Sequence, residues 1–395
     1  AAVVLLVVLR RFYETILAGN RRAAEWAWSV AVLGGGLGWL VAFGGGPLTA
    51  DFWVAETYPF LSMYANPHFP LGLACMVAFL NLMLRDSRAW AWMAVLGLIT
   101  GVVLPFGVVV MVVVGGVIMI WRWLAERHLY WREVVAFGFP GGVVILYQFW
   151  ATVTDPVLRI WNAQNQTPSP PVWDVLIALM PVALLALPGA VWWWKHGNSG
   201  KYVLFAWVVM AIVLMYAPFN LQRRFMLGLF VPLVGLAAGW LAGSGRRWVA
   251  WGVLLFSLPT SLLIVSSGLM AGQTADEKVY IPTDVIGGTT WLKENARPSD
   301  VVLALPERGL LLPGWSGCRV IYGHPFETAN AEREQLAVES FFALDDEKAV
   351  KEFLAQRRVA YVFWEGEHLM AGLENFPVVF QAGNVKIFRV ESGQP

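Results

Sequence analysis

Apolar runs recur along the first two thirds of the chain, over residues 1–9, 25–44, 70–84, 89–104, 106–121, 133–154, 172–194, 202–217, 225–243 and 248–270. A helix of roughly 20 apolar residues crosses a bilayer, so runs parted by short polar breaks predict a polytopic bundle of about ten transmembrane helices. The run 1–9 is about half that length and is expected to be a cut helix, with further sequence upstream. The stretch 89–121 is interrupted at Leu104-Pro105-Phe106-Gly107. Proline removes a helical hydrogen bond, which predicts two short helices forming a hairpin. Gly34-Gly35-Gly36 and Gly115-Gly116 are expected to let helices approach closely.

The pattern changes after Met270. Residues 286–296, 331–343 and 346–357 predict helices, and 301–305, 319–322, 359–364, 377–381 and 385–390 predict strands. Helices alternating with strands predict a small α/β domain whose sheet is mostly parallel, with an antiparallel pair at one end. The expected organisation is an α-helical transmembrane domain over 1–270 followed by a soluble α/β domain over 271–395.

Composition agrees with that division. The 395 residues are 58% hydrophobic and 14% charged, with a mean hydropathy of +0.59, which excludes an ordinary water-soluble globule. Residues 1–270 hold 16 Lys and Arg against 9 Asp and Glu, and 271–395 hold 12 against 18. Assigning alternate loops to alternate sides gathers thirteen cations on one face, from Arg10 to Arg247, and only Arg159, Arg223 and Arg224 on the other. By the positive-inside bias the first face is cytoplasmic. The C-terminal domain is then extracytoplasmic, and the Arg223-Arg224 pair lies outside against the trend. The cysteines, Cys75 and Cys318, form no CxxC, and no His/Cys cluster stands at metal-ligand spacing.

Candidate chemistry collects in the outer loops. Asp51 and Glu56 lie among Trp53, Tyr58 and Phe60 and are either a general base or ordinary solvated charges. His68, at the stiff entry Asn66-Pro67-His68-Phe69-Pro70, is either a helix-start residue or a proton carrier. Arg159, Asn162 and Gln164 precede Thr167-Pro168-Ser169-Pro170-Pro171; amide and guanidinium donors suit sugar hydroxyls or a phosphate, or a plain polar connection. An arginine at mid-bilayer costs on the order of 2.5–3.5 kcal/mol, so the pair in Ala217-Pro218-Phe219-Asn220-Leu221-Gln222-Arg223-Arg224-Phe225 belongs at an interface or a polar cavity. It either snorkels into headgroups or, with Gln222 beside it, binds an anion. Gly323-His324-Pro325-Phe326-Glu327-Thr328 follows a predicted strand and reads as a ligand loop or a turn that docks onto the membrane part.

The outer first loop, the segments WNAQNQTPSPP and NLQRRF, and the stretch WLKENARPSDVVLALPERGLLLPGWSGCRVIYGHPFET resemble an uncharacterised bacterial branch of the GT-C glycosyltransferase superfamily, related to protein mannosyltransferases and arabinosyl or aminoarabinose transferases, over about Asp51 to Thr328. The resemblance implies an integral protein of the bacterial cytoplasmic membrane. It would take a polyprenyl-phosphate-linked sugar as donor and a glycan, lipid or protein outside the cytoplasm as acceptor, with membrane lipids but no nucleic acid as partners. It implies an acidic role for Asp51 or Glu56 and a lipid-phosphate role for Arg223 or Arg224. It implies no resident cofactor, and leaves room for a divalent cation. Such enzymes carry an acidic pair after the first helix, whereas Asp51 and Glu56 stand five apart, and the base of the reaction could precede Ala1. The second reading is a non-enzymatic polyprenyl-lipid binding or transport component whose outer domain recruits a partner.

Overall fold

The computed structural model of the chain describes residues 1–85, 88–127, 129, 131–218, 220–276, 280–366 and 370–390; Phe219 of the arginine segment lies outside them. The chain forms two compact units, Ala1–Ala151 with Gln166–Gly268, and Thr152–Asn165 with Leu269–Pro395.

The helices are, in chain order, α1 (Ala2–Ile16), α2 (Arg21–Leu33), α3 (Gly38–Phe43), α4 (Ala50–Trp53), α5 (Pro59–Ala65), α6 (His68–Leu84), α7 (Trp90–Val103), α8 (Pro105–Glu126) and α9 (Trp131–Thr154). After α10 (Pro156–Gln164), which belongs to the second unit, come α11 (Val172–Leu179), α12 (Val182–His196), α13 (Gly200–Met215), a 3-10 turn (Gln222–Met226), α14 (Phe230–Ser244) and α15 (Arg247–Gln273). Among the described residues four stretches, 105–125, 131–154, 222–244 and 247–273, are long and apolar enough to cross a membrane. The pair α11 and α12, bent by 78°, makes a fifth if it is one span, while α6, α7 and α13 are shorter apolar helices. The ten apolar runs thus divide into a few full-length spans and several short or broken ones.

The expected hairpin is present. The Leu104 amide closes α7 on the Thr100 carbonyl at 2.7 Å, and Pro105, with no N–H to satisfy, opens α8. Gly97 and Gly101 of α7 meet Phe137 and Gly141 of α9 in the same order. Val108 and Gly115 of α8 meet Gly141 and Val134 in reverse order, so α7 and α8 run antiparallel. A Cβ at Gly97 would fall 1.9 Å from the Phe137 carbonyl oxygen, so the α7–α9 approach requires glycine. Of the two glycine clusters singled out in the sequence, Gly36 meets the Ala178 carbonyl closely, whereas nothing lies within 4 Å of a Cβ at Gly116. The span containing α14 is 89% buried and forms the centre of this unit, while those of α9 and α15 are 17% and 22% buried. On α9, Phe139, Leu146, Tyr147 and Phe149 are exposed. Helices of this length with such apolar outer faces are stable against lipid, and the protein is a membrane protein.

The second unit contains α16 (Thr283–Asn295), β1 (Val301–Leu303), α17 (Pro306–Gly309), α18 (Leu312–Ser316), β2 (Arg319–Val320), α19 (Ala331–Phe342), α20 (Glu347–Gln356), β3 (Val359–Glu365), β4 (Val378–Ala382) and β5 (Val385–Arg389). Strand order is β2-β1-β3-β5-β4. The first three are parallel, and β5 is antiparallel to both β3 and β4, matching the predicted mixed sheet. Successive strand residues point to opposite faces. Val302 accordingly packs with Val285, Leu292 and Leu312, and Leu303 with Val338, Phe341, Val350 and Leu354. Helices therefore cover both faces. The short α17 and α18 carry no period that a sequence reading could pick up.

The sequence places one boundary at residue 270, and by compactness α10 groups with the residues after Gly268. Asp155 caps it by accepting from the Val157 and Leu158 amides at 2.8 and 3.0 Å, and Pro156 starts its first turn. Its far end is consumed by the loop 324–330. Gln164 donates to the Thr328 carbonyl at 2.6 Å and accepts from the Asn330 amide at 3.0 Å. Asn165 donates to the Phe326 carbonyl at 2.7 Å and Trp161 to Glu327 at 3.1 Å.

Candidate functional site

Two buried carboxylates organise the first unit. Asp51 lies in the first turn of α4 and is 2% exposed. Its Oδ1 accepts from the Thr49 hydroxyl at 2.6 Å; its Oδ2 accepts from the Thr260 hydroxyl at 2.8 Å and from the Gly36 and Gly38 amides at 3.1 and 3.2 Å. The Ala50 amide at the head of α4 is held in turn by Asp174 Oδ1 at 2.7 Å. A Cβ on Gly38 would stand 2.2 Å from Asp51 Oδ1, so this loop closes only around glycine. Burial pushes the Asp51 carboxyl above the ordinary carboxylate range, and the Thr49, Thr260 and Gly38 donors pull it back. With four protein donors on two oxygens, Asp51 fastens α3, α4 and α15 together. These donors, one on Oδ1 and three on Oδ2, give Asp51 a structural occupation where the role of a base was expected.

Glu56, 3% exposed, meets different partners. Its backbone carbonyl accepts from the Gly228 amide at 2.8 Å, and that of Thr57 from the Phe230 amide at 3.4 Å, which fixes the loop to the start of α14. The 3-10 turn places Arg223 and Arg224 over it. Arg224 Nη1 donates to Glu56 Oε1 in a close ion pair, and Arg223 Nε stands 3.9 Å from the same oxygen. The Arg223 guanidinium lies 5.1 Å from the centre of the Trp53 ring and that of Arg224 5.9 Å from Phe106, geometry in which ring faces favour a cation. Two guanidinium charges against one carboxylate, +2 − 1, leave a single positive charge in a largely desolvated setting. Glu56 Oε2 accepts no hydrogen bond among the described residues.

The structure thus brings together Glu56, Arg223 and Arg224, which the sequence shows as separate oddities. Gln222 stands beside them as a brace: Oε1 accepts from the Ser169 amide at 3.3 Å and Nε2 donates to the Ala217 carbonyl at 2.8 Å. Both ends of its amide are spent on backbone, a structural occupation where a substrate contact was expected. Arg159, Asn162 and Gln164 belong to the soluble unit. Arg159 caps the Val153 carbonyl at 2.8 Å, Asn162 is exposed, and Gln164 is consumed as described. His68 is exposed at the start of α6, its ring 4.3 Å from that of Phe69. The 323–328 loop is a tight turn, closed by the Thr328 hydroxyl accepting from the Gly323 and His324 amides. Asp174, and the placing of Trp53 and Phe106 against the arginines, were missed by sequence reasoning. Asp174 carried a usable signal, as a lone carboxylate opening an apolar helix. A cavity of about 230 Å³ between α1 and α2 involves Arg10, Glu14, Arg21 and Glu25, whose charges are spent on the pairs Arg10–Glu14 and Arg21–Glu25. No group of three or more His, Cys, Asp or Glu at metal-binding geometry occurs among the described residues.

Among solved structures, the chain is similar to the archaeal oligosaccharyltransferase AglB from Archaeoglobus fulgidus in complex with an inhibitory peptide and a dolichol-phosphate. The TM-score is 0.52 at 11% identity, covering 92% of this chain and 57% of that one. The apo form of the Archaeoglobus fulgidus oligosaccharyltransferase gives a TM-score of 0.51 at 12% identity with the same coverage of 92% and 57%. At this identity the likeness is one of fold, and the chain spans 57% of the length of the structures it matches. No protein-family model and no curated protein matches the sequence.

Proposed function

We propose that this protein is a membrane glycosyltransferase that moves a sugar from a polyprenyl-phosphate-linked donor to an acceptor on the outer side of a bacterial cytoplasmic membrane. The observation that carries this reading is the Glu56–Arg223–Arg224 cluster with its single positive charge in excess. The fold of an enzyme solved with dolichol-phosphate supports it, and the distribution of cations supports an outward placement of the arginines and of the α/β unit.

In this reading the donor is a phosphodiester of charge −1, which the excess positive charge neutralises. The acceptor's nucleophilic oxygen or nitrogen forms a bond to the anomeric carbon as the bond from that carbon to the phosphate oxygen breaks. The leaving polyprenyl phosphate gains negative charge beside Arg223 and Arg224, where preorganised donors stabilise it most in the transition state. Glu56 Oε2, which accepts no hydrogen bond among the described residues, takes the acceptor's proton. Asp51 acts only by holding the loop that carries Glu56.

Membranes supplied with a labelled polyprenyl-phosphate sugar test the reading. Wild-type membranes are expected to release free polyprenyl phosphate, and Arg223→Ala to lower that release by a factor on the order of 10²–10³ while the variant still inserts. Unchanged release from Arg223→Ala would overturn the assignment. Donor that binds but stays intact in the wild type would favour a non-enzymatic lipid-binding component.

A further inference from the structure

Nine buried side-chain polar atoms have no partner among the described residues, and four of them lie in or beside the 3-10 turn, one on Arg223 within it and three on Thr57, Thr167 and Ser169. Residues 167–170 are fastened to that turn and its approach through their backbone. The Thr167 amide donates to the Asn220 carbonyl at 2.7 Å, and the Arg223 amide to the Thr167 carbonyl at 3.0 Å. The Ser169 amide donates to Gln222, and the Tyr216 hydroxyl to the Pro170 carbonyl at 3.1 Å. Pro168 and Pro170 have no N–H and hold the backbone stiff. The segment's main chain is therefore spent on structure, while the hydroxyls of Thr167, 8% exposed, and Ser169 are left over.

A buried hydroxyl without a partner costs about 1–3 kcal/mol, and valine would fill the space of Thr167 without that cost. Its neighbour Arg223 repeats the pattern, with Nε buried and too far from Glu56 for a hydrogen bond at 3.9 Å. Two hydroxyls and one guanidinium N–H, on segments joined by backbone hydrogen bonds, are the donor types that phosphate oxygens accept from.

We infer that Thr167 and Ser169 are phosphate ligands whose hydroxyls, together with Arg223 Nε, hydrogen-bond the phosphate ester of the lipid-linked donor. This rests on the proposed function for the identity of the ester but not for the donor set. It assigns a binding role to the TPSP segment, which the sequence presents only as a proline-rich connection.

The test uses the full chain in phosphatidylcholine nanodiscs titrated with a short-chain polyprenyl phosphate, followed by binding and by the thermal unfolding midpoint. Without ligand, Thr167→Val is expected to unfold at or above the wild-type temperature, because an unpaired buried hydroxyl has been removed. With ligand, each of Thr167→Val and Ser169→Ala is expected to raise the Kd about tenfold, and the double variant further. Wild-type affinity in the double variant, or a midpoint several degrees lower in Thr167→Val, would overturn the inference and make the hydroxyls structural. Arg223→Ala separates the two readings. If it loses binding while the hydroxyl variants keep it, the inference alone fails; if all bind as wild type, the proposed function fails with it. Phosphatidylglycerol in place of polyprenyl phosphate identifies the source of the ester. Equal stabilisation by that headgroup would overturn the donor identity.

Discussion

Asp51 and Glu56 share one aromatic loop, five residues apart and equally removed from water. Asp51 is satisfied by neutral donors, two hydroxyls and two amides, on both oxygens. Glu56 faces two cations with one oxygen and, among the described residues, leaves the other without a donor. A carboxylate held by several fixed neutral dipoles ties segments together. One that balances only half of a double charge leaves a field that a further anion can complete.

Substitutions can break that contrast. Arg224→Ala should have the largest effect, because it leaves Glu56 buried with only a distant cation. A loss of about 3–5 kcal/mol in the unfolding of the purified protein is expected, together with loss of turnover. A midpoint like the wild type's would show that the pair contributes little to the fold. Asp51→Asn should come next, at about 3 kcal/mol, since an amide nitrogen must face donors that need an acceptor. If the protein folded normally and lost only turnover, Asp51 would be a reacting group after all. Glu56→Gln keeps the shape and a hydrogen-bond acceptor for Arg224 and leaves two partly exposed guanidinium groups without a counter-charge, so turnover should fall about 10²-fold with a loss of stability smaller than that of Arg224→Ala. Equal losses of stability in Glu56→Gln and Asp51→Asn would erase the distinction. Thr260→Val removes one of Asp51's four donors and should cost about 1.5–2 kcal/mol, with turnover per folded molecule preserved.

Much of the fold was legible because its signals are local. Pro105 ends one helix and starts the next, and the β-branched and aromatic run Val359–Glu365 forms the longest strand. The site was legible only in pieces. Glu56 and Arg224 each look out of place, but their contact joins residues 168 apart. The saturation of Asp51 depends on Thr260, 209 residues away. Nothing within the loop distinguishes the two acids, so the sequence leaves both as candidate bases. Arg159, Asn162 and Gln164 carry the donors of a sugar-binding loop, yet the partners that decide their use lie at 153 and 326–330.

The placement of α10 bears on how the protein can be taken apart. The soluble unit is built from two pieces of chain, so the backbone crosses between the units three times, near residues 151, 165 and 268. A cut after Gly268 would not release an intact module. It would strip the backbone partners from Gln164 and Asn165, two residues before the threonine that holds the Arg223 amide. Exchange of the C-terminal unit between related chains has to carry residues 152–165 along with it, and a graft made at a single junction will join mismatched halves of one fold.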